Sequence, residues 1–168
     1  AIHRGLVLHI SYQSLSSGAS VRDIVPLALI DNGLRWHVRA FDRKNSRFGD
    51  FVINRISNAK AATTPIAQEE ALAEDEQWNH QIELELVPHP KLSHPKAIEA
   101  DYGMSRGVLR VLTRAAVAGY ALGRWSVDCS PKHSLDSSRH HLWLRNPRVL
   151  DGVESAVLAP GFSEKALS

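Results

Sequence analysis

The tripeptide Asp31-Asn32-Gly33 stands between two apolar runs and constrains the fold more than any other feature of the chain. Asn-Gly tolerates the positive backbone angles of a tight hairpin turn, so the runs on either side are read as antiparallel neighbours. Residues 21–30 form one strand, set at an edge or bent by Pro26, because proline cannot give a ladder hydrogen bond. Residues 36–41 form the other. There Trp36, Val38 and Ala40 share one face, while His37, Arg39 and Phe41 share the opposite one. Upstream, residues 6–13 read as a strand after a turn at Gly5, followed by a polar hairpin loop over residues 14–20 around Gly18. Downstream, a polar loop over residues 42–47 leads to another alternating strand at residues 51–56. Short strands and polar turns within about 60 residues predict a small, strongly bent β barrel.

The pattern then changes. Residues 61–77 read as a linker, with a Thr-Thr-Pro stop at residues 63–65, an acidic cluster between Glu69 and Glu76, and room for one helical turn. Ile82, Leu84 and Leu86 alternate as a strand that ends at Pro88-His89-Pro90. Pro95 suits a first helical position, so a helix is expected through Ala100. Residues 107–113 alternate again, and residues 115–125 are small and apolar enough for a helix in spite of Gly119 and Gly123. The remainder is irregular, with a short strand at residues 140–144. The expected architecture is mixed β and α+β: a β-barrel domain over 1–60, a linker over 61–77, and an α/β module over 78–168 with an extended tail. Two domains this small need each other, or a dimer partner, to bury enough surface.

Charge distribution separates the halves further. Residues 1–60 hold nine Lys and Arg against four Asp and Glu, a local excess of +5, whereas residues 61–168 hold eleven against fourteen. Only the first half attracts anions. A hydrophobic fraction of 43% and a charged fraction of 23% are those of a folded protein rather than a disordered tail. No run approaches the roughly 20 apolar residues of a membrane span, and no secretory leader precedes the first strand, so a cytoplasmic location without membrane contact is expected. The chain begins at Ala1, as the trimmed end of a longer protein would. Its single cysteine, Cys129, excludes an internal disulfide framework.

The cations of the first half cluster. Residues 35–56 carry five arginines and a histidine among aromatic and branched residues. Arginine forks suit phosphate or carboxylate, and interleaved aromatics give bases a surface to stack on. Arg22, Arg35, Arg39, Arg43, Arg47 and Arg55, with Tyr12, Trp36, His37, Phe41 and Phe48, have the composition of such a surface. Spacing does not make them converge, and the plainer reading leaves them as the solvated side of a sheet. Elsewhere, Cys129, His133, His140 and His141 form a loose Cys-x3-His-x6-His-His series without the paired spacings of zinc sites, so no metal is expected. Ser93, His94 and Asp101 lack a nucleophile elbow, and residues 103–107 lack the lysine and Ser/Thr of a P-loop. A noncatalytic protein with no cofactor is the expectation.

RWHVRAFDR at residues 35–43, followed by FGDFVINRI at residues 48–56, closely resembles the WYL domain family, in the variant whose Trp-Tyr-Leu appears as Trp-His-Val. Ile10-Ser11-Tyr12-Gln13-Ser14 and Arg22-Asp23-Ile24-Val25-Pro26 match upstream pieces of the same family in the same order. Residues 88–104, PHPKLSHPKAIEADYGM, resemble the C-terminal module of WYL regulators associated with phage-defence islands. The resemblance implies an Sm-like, SH3-type β barrel, then an α/β domain that makes a homodimer. It also implies a bacterial transcriptional regulator whose operator DNA is bound by a winged helix-turn-helix, here absent before Ala1. The WYL barrel would sense an anionic nucleotide, a cyclic oligonucleotide or single-stranded nucleic acid. By the same resemblance Tyr12, Ser14, Arg22, His37, Arg39, Arg43 and Arg55 are the ligand-binding candidates, Arg55 foremost for phosphate, with Trp36 and Phe51 as pocket support. Where relatives often read Phe-Arg-Asp-Phe this chain has Phe48-Gly49-Asp50-Phe51, which removes a cation from the pocket rim. Arg47 is expected on the opposite face from that rim. Two plainer roles remain open: a single-stranded nucleic-acid-binding module with no allosteric role, and a structural dimerisation fragment.

Overall fold

A computed structural model of the chain describes residues 1–163, so the end of the expected tail, 164–168, lies outside the described residues. The chain divides into two compact units, Ala1–Asp75 and the remainder from Glu76. Each unit carries one antiparallel sheet and the helices are few and short, which makes the fold mixed α/β.

In the first unit β1 (Val7–Ser14), β2 (Gly18–Asp31), β3 (Trp36–Asp42), β4 (Arg47–Val52) and β5 (Ile56–Ala62) form a sheet of order β4-β3-β2-β1-β5. The expected barrel is met only as far as this sheet. Among the described residues no ladder joins β4 to β5 to close it. The run read as one strand over residues 51–56 is divided instead: β4 stops at Val52, a 3-10 turn spans Ile53–Arg55, and β5 pairs with β1.

The Asp31-Asn32-Gly33 turn joins β2 to β3 as its side chains dictate. Asp31 Oδ1 accepts the Gly33 N–H at 2.8 Å, and Asn32 Oδ1 accepts those of Leu34 and Arg35 at 3.0 and 2.9 Å. Gly33 takes a φ of 78°, which a side chain would strain. Pro26 lies in the central strand of the sheet rather than at an edge, and the register shifts between Pro26 and Ala28. A bulge there bends β2 without needing the missing N–H.

Val38 and Ala40 pack with Ile10, Tyr12, Ile24 and Phe51 in the core of this unit. Two expectations for β3 need correction. Trp36, taken as core support, is 51% exposed, because it is the first residue of β3 beside the hairpin turn. The face that the plainer reading leaves to solvent is not wet either: His37 and Arg39 are only 5% and 3% exposed. Residues within the stretch read as a linker explain this. Asp75 and Glu70, themselves buried, take the guanidinium groups of Arg39 and Arg43.

In the second unit α1 (Glu76–Asn79), β6 (Gln81–Pro88), α2 (Pro95–Asp101), β7 (Leu109–Arg114), α3 (Ala115–Arg124) and β8 (Leu142–Leu144) follow in order, with sheet order β7-β6-β8. Pro95 opens α2 as expected. Leu84, Leu86, Leu122, Leu142 and Leu144 make the fully buried centre. The glycines that argued against α3 have a packing reason. A Cβ on Gly119 would lie 1.7 Å from the Ser155 carbonyl oxygen, while Gly119 N–H donates to Ser155 Oγ at 2.9 Å and that hydroxyl donates to Ala115 O at 2.6 Å. No helix among the described residues is long and apolar enough to cross a membrane.

Gly119→Ala is therefore expected to destabilise the second unit by about 3 kcal/mol or more, because backbone must move to admit one methyl group. Gly123→Ala meets only the Leu158 carbonyl, at 3.1 Å, and should cost less. Thermal melts of the two variants check the order; equal melting temperatures would contradict it.

Candidate functional site

A cavity of about 500 Å³ lies in the first unit where the β1–β2 and β3–β4 turns meet. Tyr12 and Phe51 line its apolar part, with ring centroids 5.0 Å apart in edge-to-face contact. The Tyr12 hydroxyl also accepts the Val52 N–H at 3.3 Å, which fixes the ring. Ser14, Ser16, Ser17 and Ser20 supply hydroxyls along one wall, and Ser14 Oγ accepts the N–H groups of Ser16 and Ser17 at 3.3 and 3.4 Å. Arg22 also lines the cavity, its guanidinium 5.9 Å from the Phe51 ring centroid. Its Nε donates to Ser20 Oγ at 3.0 Å, and its fork donates to the Asp42 carboxylate. Asp42 is filled further by Asn45 Nδ2 at 2.7 Å and Lys44 N at 3.1 Å.

Charge at the rim comes from two other residues. Lys44 and Arg47 are exposed and line the cavity, and among the described residues neither side chain enters an ion pair. Arg22 is paired with Asp42, and Asp50, which also lines the cavity, with Arg39, so among the described residues the lining charges outside any ion pair are Lys44 and Arg47. Gly49 lines the same cavity, and a Cβ there would meet nothing within 4 Å.

Of the residues expected from sequence, Tyr12, Ser14, Arg22 and Phe51 are brought together. Arg39 is held elsewhere: its Nε and Nη2 donate to Asp75 at 2.7 and 2.8 Å, and its Nη1 to Asp50 at 3.2 Å. Burial opposes its charge, but the Asp75 and Asp50 carboxylates outweigh that and raise its pKa. Arg43 grips Glu70 through two bonds of 2.6 and 2.7 Å and reaches Pro65 O at 2.7 Å. His37 is buried, and that burial lowers its pKa against the pull of Asp50. Arg55, the first choice for phosphate, is half-buried in the turn between β4 and β5 and outside the cavity lining.

Lys44 and the three further serines were not singled out from sequence, and Arg47 was named among the cations but placed away from the rim. Arg47 was set on the opposite face from the Gly49 rim, yet residues two apart on a strand face the same way, so the alternation itself carried the signal. The serines were legible as a hairpin loop but not as a wall.

In the second unit the Cys-His series has a structural setting. Asp128, fully buried, accepts the N–H groups of Ser130 and Leu135 at 2.7 and 3.0 Å and lies 3.1 Å from His89 Nε2. That carboxylate shapes the loop. Burial pushes the neighbouring Cys129 thiol up to about 12. His133 stands edge-on to His89 and Trp143. Among the described residues no three His, Cys, Asp or Glu side chains group as metal ligands.

The Arg43 contact gives the first unit a pH dependence. Hydrogen bonds from Arg43 hold the Glu70 carboxyl below its ordinary range, against the opposing effect of burial. A carboxylate depressed on folding contributes stability that is full above its unfolded pKa and is lost as pH falls through the folded one. Chemical denaturation of wild type and Glu70→Gln at neutral and acid pH should therefore converge in acid. A stability gap that stays constant with pH would contradict the assignment.

Comparison with known proteins agrees with this division of the chain. A family model described as "WYL domain" matches residues 1–61, and one described as "BrxR transcriptional regulator, C-terminal dimerization domain" matches residues 81–150. The DNA-binding transcriptional repressor CapW of Escherichia coli (strain KTE188) is 33% identical over 136 residues, which is 79% of this chain and 44% of the relative. CapW of Pseudomonas aeruginosa is 36% identical over 126 residues, 73% of this chain and 41% of the relative. CapW of Stenotrophomonas maltophilia is 29% identical over 166 residues, 92% of this chain and 54% of the relative. The chain thus spans about half the length of the curated relatives it matches. Among solved structures, proteasome accessory factor B/C of Arthrobacter aurescens aligns with 94% of this chain and 25% of its own at 17% identity, with a TM-score of 0.38. The chain thus carries a WYL domain over residues 1–61 and a BrxR-type C-terminal dimerization domain over residues 81–150.

Proposed function

We propose that this chain is the ligand-sensing and dimerising part of a bacterial DNA-binding transcriptional regulator, and that its first unit binds a nucleotide or nucleic-acid-like anion. The observation that carries the reading is the cavity bounded by Tyr12 and Phe51, the serine wall, and the Lys44 and Arg47 cations. Tyr12, Ser14 and Arg22 keep the roles given them by the family resemblance; Lys44 and Arg47 take the phosphate role first given to Arg55. The five-strand order goes with an Sm-like, SH3-type barrel left open between β4 and β5.

The chemistry fits a compact ligand. A volume of about 500 Å³ falls within the range of small-molecule sites. Phosphate oxygens are suited to the two rim cations and the serine hydroxyls, with an aromatic ring against Phe51 or Tyr12. A mononucleotide or cyclic oligonucleotide meets these demands better than a long strand. No catalysis is assigned. Ligand binding changes transcription only if the ligand prefers one arrangement of the dimer over another.

Binding of a labelled panel of nucleotides, cyclic oligonucleotides and short single-stranded DNA and RNA at two salt concentrations tests the reading. Saturable binding of a compact member is expected, weakened about tenfold or more in the Lys44→Ala/Arg47→Ala double variant and unchanged in Arg55→Ala. Gly49→Arg, which meets no steric obstacle at its Cβ, should restore a rim cation and tighten binding. Length-dependent binding with a steep salt slope would favour a nucleic-acid surface without sensing. No binding by a folded sample would leave a structural dimerisation fragment.

A further inference from the structure

We propose that the second unit binds a second copy of this chain through the free edge of β7, extending the three-stranded sheet across a two-fold axis. The inference rests on the dimerising part of the reading above and adds where the interface lies.

The sheet order β7-β6-β8 leaves two edges. The β8 edge is short and already covered. Its three residues are met by Asp128, whose N–H donates to Leu142 O and whose carbonyl accepts from Leu144 N, both at 2.9 Å. The β7 edge differs. It is six residues long, has no proline, glycine or bulge, and pairs only with β6 among the described residues. An unblunted edge of this length presents backbone donors and acceptors ready for another strand.

Packing on both faces points the same way. Leu84 and Leu86 of β6 are fully buried, yet their cross-strand partners Val111 and Leu109 are only partly buried, so the core is open along β7. On the other face Leu112 is 66% exposed. A second copy laid antiparallel and centred on Leu112 sets that leucine against itself and continues the open core through Leu109 and Val111. The same register sets Arg110 opposite the second copy's Arg114. Glu83 and Glu85, at 2.8 and 3.1 Å from Arg110, offset the like charges. A symmetric pairing also closes the assembly, because each copy then has no free β7 edge left.

Sedimentation of the full chain with Leu112→Glu and Leu112→Cys tests this. Leu112 is exposed, so neither variant should unfold the unit, and circular dichroism verifies that. Wild type is expected to be a dimer whose dissociation constant rises about tenfold or more in Leu112→Glu, since like charges then face each other across the axis. Leu112→Cys should form a disulfide-linked dimer under mild oxidation, because the register sets the two Cβ atoms directly opposite each other at the two-fold axis; buried Cys129 serves as the unreactive control. A dimer unaffected by Leu112→Glu and not cross-linked by Leu112→Cys overturns the β7 interface while leaving dimerisation intact. A monomeric wild type overturns the dimer reading itself.

Discussion

The first unit depends on one buried cation. Arg39 is almost without solvent, and its guanidinium is shared between Asp75, through two hydrogen bonds, and Asp50, through one. A charge placed there without partners would cost far more than the unit can bear, and removal of one partner of a buried pair typically costs about 3–5 kcal/mol. The pair therefore fixes where residues 61–75 must lie. Those residues cover a face of β3 that alternation alone assigns to water, and Arg43 with Glu70 repeats the arrangement one strand-end away. An arginine-rich sheet thus becomes a two-sided packed layer.

This changes the answer to what the arginines are for. Arg22, Arg39 and Arg43 each face a carboxylate of the same unit, so they organise the protein before any ligand arrives. Their forks hold turns and strand faces in place. Of the charges that line the cavity, Lys44 and Arg47 lie outside any ion pair among the described residues, on the β3–β4 hairpin, where a loop can present side chains without burying them. Tyr12 and Phe51, locked edge-to-face, give that rim a rigid apolar base.

Much of this was legible in the sequence. Asn32-Gly33 fixed the β2–β3 hairpin, Pro26 marked the bulge, and Pro95 opened α2. Tyr12, Ser14, Arg22 and Phe51, which the family resemblance singled out, line one cavity. What failed was long-range pairing. Asp75 lies thirty-six positions from Arg39 in sequence, and no local rule says that an acidic stretch resembling a linker will fold back on a strand. Trp36 failed for a related reason: alternation assigns it a face but not a depth, and the strand's first residue lies at its rim. Gly119 had the opposite fault. It weakened the helix expectation locally while a carbonyl from a distant turn required it.

The proposed anion site lies at the β1–β2 and β3–β4 turns, about 20 Å along β3 from Trp36. Amide chemical shifts of isotopically labelled protein, followed during titration with a cyclic dinucleotide and with a short oligonucleotide, test it directly. The perturbed amides are expected to cluster at residues 14–22 and 42–51. Perturbations centred on Trp36 and Arg55, or none at all with a folded sample, would contradict it.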